Sequence, residues 1–248
     1  MAKVLGKLMS MTFGGSAVPL IAQNYDENYD VIDVTDNLST GDGKETLVSR
    51  ATRTLQITRT LRNGSSVKQV GVASTLLFNS LTFNVTSINY EVNYDEVDGT
   101  DTATAAGAKE FDAGFAERKS SLDLWMKDAT ADPVLGTAQS ATLTFATGIT
   151  AIGSFRPESK KFQGEVKGRQ KVTINGTWQG AVTETLLGNT MAVSTAVVLV
   201  FKTGTTARGL SGNAIITKKS IVSEVNGDIK ITETMMFTGS VTETLYVA

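Results

Sequence analysis

The stretch Gly180-Ala-Val-Thr-Glu-Thr-Leu186 recurs near the C-terminus as Gly239-Ser-Val-Thr-Glu-Thr-Leu245, 59 residues later. Agreement over a whole segment indicates an internal duplication, which should be identified before single motifs are interpreted. Further matches at this spacing are Gly153 with Gly212, Glu165-Val166 with Glu224-Val225, Gly168 with Gly227, Lys171 with Lys230, Val172-Thr173 with Ile231-Thr232, and Trp178 with Phe237. Upstream of them, Phe145-Ala-Thr-Gly148 matches Phe201-Lys-Thr-Gly204 after a three-residue slip.

The N-terminal half repeats at a second spacing, of 65 residues. Asn24-Tyr-Asp-Glu-Asn-Tyr-Asp30 aligns with Asn89-Tyr-Glu-Val-Asn-Tyr-Asp95, and Asp33-Val-Thr-Asp36 aligns with Asp98-Gly-Thr-Asp101. The matches Lys44-Glu45 with Lys109-Glu110 and Arg53 with Arg118 continue the alignment without a gap. The modules therefore run front, front, back, back along the chain.

Two domain arrangements fit this order of modules. In the nested arrangement, residues 1–80 plus 190–248 form an outer domain and residues 81–189 form an inner domain inserted into it. In the alternative the two copies are interleaved. Nesting is favoured because it leaves each domain with self-contained strand pairing and few crossing connections.

The residue pattern predicts a mostly β chain. Thr and Val, which suit a pleated surface, are abundant, and apolar residues alternate with Thr or Gln in segments such as 53–59 and 141–147. The helical expectation is one segment, 115–129, where Leu122, Trp125, Met126 and Ala129 follow helix-like spacing before Asp132-Pro133. The fold class expected is all-β with one or two short helices.

Composition removes most kinds of catalytic site. The 248 residues include no Cys and no His, which excludes disulfides, thiol nucleophiles, Ser-His-Asp triads and zinc sites with thiolate or imidazole ligands. Lys plus Arg number 23 and Asp plus Glu number 25, so no general attraction for nucleic acid is expected. No phosphate-binding glycine motif is present. We therefore expect a protein that is not an enzyme and has no cofactor.

The acidic loops and the membrane question have equally plain interpretations. The runs Asp33–Asp36 and Asp95–Asp101 could bind calcium, but they lack EF-hand spacing and are more typical of solvated turns, so no metal is expected. The longest apolar run, Met191–Phe201, is too short for a membrane helix. The start of the chain is not a convincing signal peptide, since Lys7 interrupts it. A soluble protein made in a cytosol is expected.

Segment 211–239 resembles the closing hairpin of phage major tail tube proteins. In that family a strand begins after a glycine, alternates apolar with Ser or Thr residues, turns at a polar glycine-containing loop and returns into an aromatic-x-Gly ending. Here the ending is Phe237-Thr-Gly239, and Trp178-Gln-Gly180 in the other copy. The loop Asp33-Val-Thr-Asp36 and the alternating strand that starts near Arg53 are similar to the family's opening. One departure is that family members commonly carry one tube domain, whereas this chain has two.

This resemblance implies two tail-tube-like split β-barrel or sandwich units and a structural function in the virion tail. Such proteins form rings whose inner sheets join edge to edge, and the rings stack into a tube through which DNA passes without specific binding. A duplicated chain would form a pseudo-sixfold ring from three subunits, assembled in the host cytoplasm with other tail proteins. The predicted contact residues between subunits or rings are Asn63, Gly64, Ser65, Ser66, Val67, Lys68, Lys160, Lys161, Lys218 and Lys219.

Each predicted contact residue also has a simpler interpretation. The two lysine pairs, Lys160-Lys161 and Lys218-Lys219, fit exposed strand positions without any partner. For the whole chain, the alternative function is a β-sandwich binding module, such as a carbohydrate-binding or adhesin domain or a virion decoration protein. Long hollow tubes or rings would favour the first function and dispersed compact particles the second.

Overall fold

The computed structural model describes residues 10–33, 46–63, 67–68, 74–100, 109–126, 132–164, 170–185, 193–202, 208–224 and 227–244. Within these ranges the regular structure is entirely β-strand, so the predicted all-β class is confirmed. The strands in chain order are β1 Ser10–Phe13, β2 Ser16–Val18, β3 Ala22–Asp33, β4 Thr46–Thr60, β5 Arg62–Asn63, β6 Val67–Lys68, β7 Thr75–Phe78, β8 Leu81–Asp98, β9 Phe111–Trp125, β10 Gln139–Ala146, β11 Ile149–Gln163, β12 Lys171–Thr185, β13 Thr195–Lys202, β14 Arg208–Glu224 and β15 Lys230–Thr244.

The helix predicted over 115–129 is wrong, because residues up to Trp125 continue strand β9. Leu122 and Leu124 are fully buried, while Ser121 and Asp123 between them are partly exposed. The apolar residues thus alternate with a period of two, as in a strand with one buried face. The strand is also paired on both sides, with β8 and with β12. Ala129 lies outside the described residues.

Strands β7 to β12 form a closed ring, which we call the inner strand set. Its antiparallel order is β7-β8-β9-β12-β11-β10, and β10 pairs again with β7. A closed ring leaves no edge along the paired stretches, so the long apolar faces of the strands can point into one shared core. Phe145, Phe155 and Tyr90 are fully buried there.

Strands β1 to β4 and β13 to β15 form a second path, the outer strand set. The antiparallel order is β2-β1-β13-β14-β15-β4-β3. The path returns close to its start because β2 and β3 follow one another in the chain, and the backbone N–H of Ile21 between them donates to the carbonyl of Thr58. Among the described residues the two sets share one ladder, between β14 and β8.

The strand bounds of the two sets correspond at constant spacings. Strands β1, β3 and β4 match β7, the later part of β8 and β9 at 65 residues, whereas β15 matches β12 at 59 residues and β13 matches β10 at 56. The first hairpin of each set turns at equivalent residues with positive φ, Gly14-Gly15 (56° and 79°) and Asn79-Ser80 (46° and 66°). Equal turns at equal spacing hold the following strands in the same register.

Side-chain packing corresponds as well. Tyr90 packs edge-on against Phe145 and Trp178, with ring centroids 5.7 and 6.1 Å away. Its counterpart Tyr25 contacts Phe201 and Phe237, each at 6.3 Å. Trp178 and Phe237, expected to serve as core or interface residues, are both buried. The duplication read from the sequence is therefore also present as repeated core contacts.

A glycine in each set permits close packing of the core. A Cβ on Gly153 would lie 3.0 Å from a methyl of Val182, and one on Gly212 would lie 3.1 Å from the corresponding methyl of Val241. Real Cβ atoms rarely make contacts this short, so a larger residue would force neighbouring side chains apart. This explains why glycine occurs at both positions of the repeat.

Candidate assembly site: a strand junction, its open counterpart and a polar sheet face

The β14–β8 ladder joins the two strand sets, and we call it the internal junction. It runs antiparallel from Lys218 opposite Asn93 to Glu224 opposite Ser87. Strand β14 reaches it by extending beyond its pairing with β13, and β8 by extending beyond its pairing with β7. One continuous sheet therefore crosses the chain in the order β3-β4-β15-β14-β8-β9-β12-β11.

A buried polar cluster lies beneath the internal junction. The Tyr90 hydroxyl donates to Glu184 Oε1 at 2.8 Å, and Arg118 Nε donates to the same oxygen at 3.3 Å. Lys219 reaches in from the outer set, its Nζ 3.4 Å from Glu184 Oε2. Burial, with the charge and hydrogen bond of Glu184, raises the pKa of Tyr90 far above its ordinary range. Tyr90 is therefore a neutral donor and Glu184 a charged acceptor shared by three groups.

An equivalent but more open cluster lies on the other strand set. The Tyr25 hydroxyl donates to Glu243 Oε1 at 3.2 Å, and Arg53 Nε lies 3.8 Å from that oxygen. Arg53 also pairs with Glu27, at 2.8 Å. Burial, with the negative charges of Glu27 and Glu243, raises the pKa of Tyr25 well above its ordinary range. This cluster holds two carboxylates for one arginine.

The lysine pairs predicted as contact residues lie at equivalent places on β14 and β11 but in different surroundings. Lys219 is 3% exposed, so it is a buried member of the internal junction and not an exposed strand residue, whereas Lys218 beside it is exposed. Lys160 is 18% exposed and lies 3.9 Å from Asp132, and Lys161 is exposed. The sequence gave no sign of this difference, because both pairs sit in similar strands.

The predicted contact loop begins in a separate small ladder. Strands β5 and β6 pair Arg62 with Lys68 and Asn63 with Val67, apart from the large sheet. Gly64, Ser65 and Ser66 lie outside the described residues. The prediction that this loop makes contacts between rings stays a prediction.

One face of the continuous sheet is polar, and we call it the polar face. Thr58 and Thr232 approach with their hydroxyls 3.2 Å apart, Ser220 donates to Asn89 at 3.3 Å, and Thr173 donates to Asp123 at 2.7 Å. On β15 the alternative left open by the sequence is resolved as core burial suggested, since Ile231 and Glu233 are buried and Thr232 is on this face. The polar face carries Gln56, Thr58, Asn89, Glu91, Lys119, Ser121, Asp123, Lys171, Thr173, Asn175, Lys218, Ser220, Lys230, Thr232 and Thr234.

No group of three or more acidic side chains is placed to hold a metal ion within the described ranges. Of the acidic runs considered for calcium, residues 95–98 end strand β8, and residues 34–36 and 101 lie outside the described residues. In the part of the chain that the structure describes, no helix is long and apolar enough to cross a membrane.

Comparison with known proteins gives two structural likenesses. No family model and no curated protein matches the sequence. A chain in the virion of a native gene transfer agent particle is 18% identical with a TM-score of 0.40, and the match covers 47% of this chain and 98% of that one. A chain in the tail of an empty gene transfer agent particle, refined with C6 symmetry, is 17% identical with a TM-score of 0.38 and the same coverage.

Proposed function

We propose that this chain is a structural virion protein that polymerises as stacked rings into a phage tail tube, a channel for DNA passage. The observation that carries the proposal is the continuous sheet that crosses both strand sets and ends in open edges at β3 and at the later half of β11. The tail-tube-like motifs of the two repeats supply the family assignment. The function is one of assembly and requires no catalytic group or cofactor.

Open edges are the physical reason for self-assembly. Unpaired N–H and C=O groups along a long strand attract another strand, so a protein that stays monomeric must blunt such an edge. Among the described residues, β3 pairs with β4 alone, and residues 159–163 of β11 pair with β12 alone. Adding copies head to tail satisfies both edges at once, and the chain of copies ends without a free edge when it closes into a ring.

Three chains give a ring with pseudo-sixfold symmetry, because each chain contributes two similar units. We assign these units to residues 1–80 plus 190–248 and 81–189, with strand β7 moved to the inner unit because it pairs with β8 and β10. Each chain supplies eight long strands, so a three-chain ring has twenty-four. At the usual strand spacing and tilt, such a barrel is roughly 45–50 Å wide between facing backbones. That width accommodates a DNA duplex.

The polar face suits the lining of this channel. Its side chains are mostly small hydroxyls and amides, with lysines and carboxylates of both signs interspersed. Tight DNA binding requires an excess of cations that displace the counterions of the phosphates. A mixed, near-neutral lining therefore lets DNA slide without holding it. DNA transits and is not a specific ligand.

Stacking of rings requires contacts outside the sheet. We assign these contacts to the loop from Asn63 to Gly71, which leaves the large sheet through the β5–β6 ladder. In this proposal the rings also meet other tail proteins at the tube ends. The protein is located in the virion tail after assembly in the host cytoplasm.

Negative-stain electron microscopy of the purified protein tests the function. Hollow tubes or annular rings are the expected result, and removal of residues 64–70 should leave rings while tubes shorten or disappear. Dispersed compact particles at every protein concentration would overturn the proposal and favour the binding module. The polar face offers that alternative little: its depression, of about 200 Å³, is lined by Asn89, Glu91, Lys119, Ser120, Ser121, Glu158, Asn175 and Gly176, with no aromatic side chain for stacking on a sugar.

A further inference from the structure

The internal junction is a template for contacts between copies. It is formed by β14 from one strand set and β8 from the other, and both strands have counterparts that lack this partner. Moving back by the repeat spacings places residues 159–163 of β11 at the positions of 218–222, and residues 24–28 of β3 at the positions of 89–93. Applied to these edges, the register of the junction puts Ser159 opposite Asn28 and Gln163 opposite Asn24.

The burial of equivalent residues shows what these open edges lack. On β14, Ile221 is fully buried at the junction, whereas its counterpart Phe162 on β11 is 57% exposed. On β8, Tyr90 and Val92 are fully buried, whereas their counterparts Tyr25 and Glu27 are partly exposed. The transferred register places Phe162 opposite Tyr25, so one contact would cover both exposed side chains.

The charges at the open edges are complementary. In the transferred register Lys160 lies opposite Glu27, and Lys161 lies opposite Asp26. Lys160 is the counterpart of Lys219, which supplies the third charged group to Glu184 beneath the internal junction. The cluster of Tyr25, Arg53 and Glu243 has no such lysine among the described residues of its own chain, and Glu27 adds a second carboxylate. The missing cation is available on the other edge of the same protein.

We propose that copies of this chain join head to tail by antiparallel pairing of residues 159–163 of one copy with residues 24–28 of the next, in the register of the internal junction. Lys160 of one copy then enters the cluster of Tyr25, Arg53 and Glu243 of the next, while Phe162 packs on Tyr25. This contact rests on the proposed ring assembly and specifies how neighbouring chains meet. It makes the junction between chains a copy of the junction within the chain.

Disulfide trapping tests the register, because the chain contains no cysteine. The test variant carries Asn24→Cys with Gln163→Cys, both at exposed positions. Directly paired antiparallel residues have Cα atoms about 4.5–5.5 Å apart, within the range a disulfide accepts. The matched control carries Asn28→Cys with Gln163→Cys, whose sites lie four residues, or about 13 Å, out of register. Mild oxidation should link the test variant into covalent oligomers on a non-reducing gel and leave the control monomeric.

A second variant tests the lysine. Lys160→Met should raise the dissociation constant for ring formation at least about tenfold by analytical ultracentrifugation, whereas Lys230→Met, on a central strand, should change it far less. Circular dichroism checks that both variants fold. Cross-linking of the control pair, or an unchanged dissociation constant for Lys160→Met, overturns the inferred contact.

The failure of this contact can be told apart from the failure of the proposed function. Wild-type rings seen by electron microscopy without cross-linking of the test pair would overturn the register and leave the tube function standing. A wild-type chain that stays monomeric at high concentration, with neither pair cross-linked, would overturn both.

Discussion

Arg59 and Glu233 form the most completely buried ion pair on the described strands. The guanidinium donates to both carboxylate oxygens, at 3.1 and 2.9 Å, and Glu233 is fully buried. The pair connects β4 to β15 beneath the polar face. A buried pair of this kind contributes little net stability relative to apolar residues, but the loss of one partner leaves a desolvated charge.

Replacing Glu233 alone should therefore be costly. Glu233→Ala is expected to lower the free energy of unfolding by about 3–5 kcal/mol. The double variant Arg59→Met with Glu233→Leu should recover most of that loss, because no unpaired charge stays buried. Equilibrium unfolding in urea, followed by circular dichroism, measures both. An equal loss in the single and double variants would contradict this account.

Tyr90 makes the stability sensitive to alkaline pH. Burial and the nearby charge of Glu184 raise its pKa in the folded chain far above the ordinary value of 10.0. The unfolded chain ionises at the ordinary value, so the contribution of this group is complete below pH 10 and declines as the pH rises above it. Each pH unit in that range should cost about 1.4 kcal/mol for this one group.

Urea unfolding at pH 9 and pH 11 tests this expectation with Tyr90→Phe as the comparison. Phenylalanine loses the hydrogen bond to Glu184 at both pH values but cannot ionise. The variant should therefore lose less stability between pH 9 and pH 11 than the wild-type chain does. Equal losses in the two proteins would show that Tyr90 is not the group responsible.

At the scale of single elements, the two equivalent hairpin turns differ in residue type. The outer set turns at Gly14-Gly15 and the inner set at Asn79-Ser80, all with positive φ. Serine pays a steric cost in this conformation that glycine avoids, and asparagine tolerates it better. Asn-Gly is the pair that such two-residue turns favour.

Ser80→Gly is accordingly expected to raise the free energy of unfolding by about 1 kcal/mol. The matched change Ser121→Gly, in the middle of β9, should lower it, because glycine inside a strand adds only backbone entropy to the unfolded state. Thermal unfolding followed by circular dichroism measures both shifts. A destabilised Ser80→Gly protein would show that the serine makes a compensating contact in the turn.

How far the sequence predicted these elements depended on the range of the signal. Alternating residues and repeats lie within the chain itself, so the strand class and the repeat spacings were readable. The helix prediction failed because it counted Leu122, Trp125 and Met126 and passed over Leu124, whose burial completes a two-residue alternation. The burial of Lys219 was not predictable, since it depends on which strand lies beside β14.

At the scale of the whole molecule, the polar face is predicted to line the channel. Gln56, Thr58 and Thr234 lie on this face, close together on β4 and β15. Changing all three to lysine adds three cations per chain and nine per three-chain ring. Such a ring should bind DNA with an affinity that falls steeply with salt, whereas the wild-type ring should bind it weakly.

The topology of the DNA then decides where the polar face lies. If it lines a closed channel, a short linear duplex can thread the variant ring, but a covalently closed circular DNA of the same sequence cannot. Filter binding at two salt concentrations should therefore show tight binding of linear DNA and weak binding of the circle. Equal binding of both forms would place the lysines on the outside of the ring, because only a surface open to solvent is reached equally by a molecule without ends.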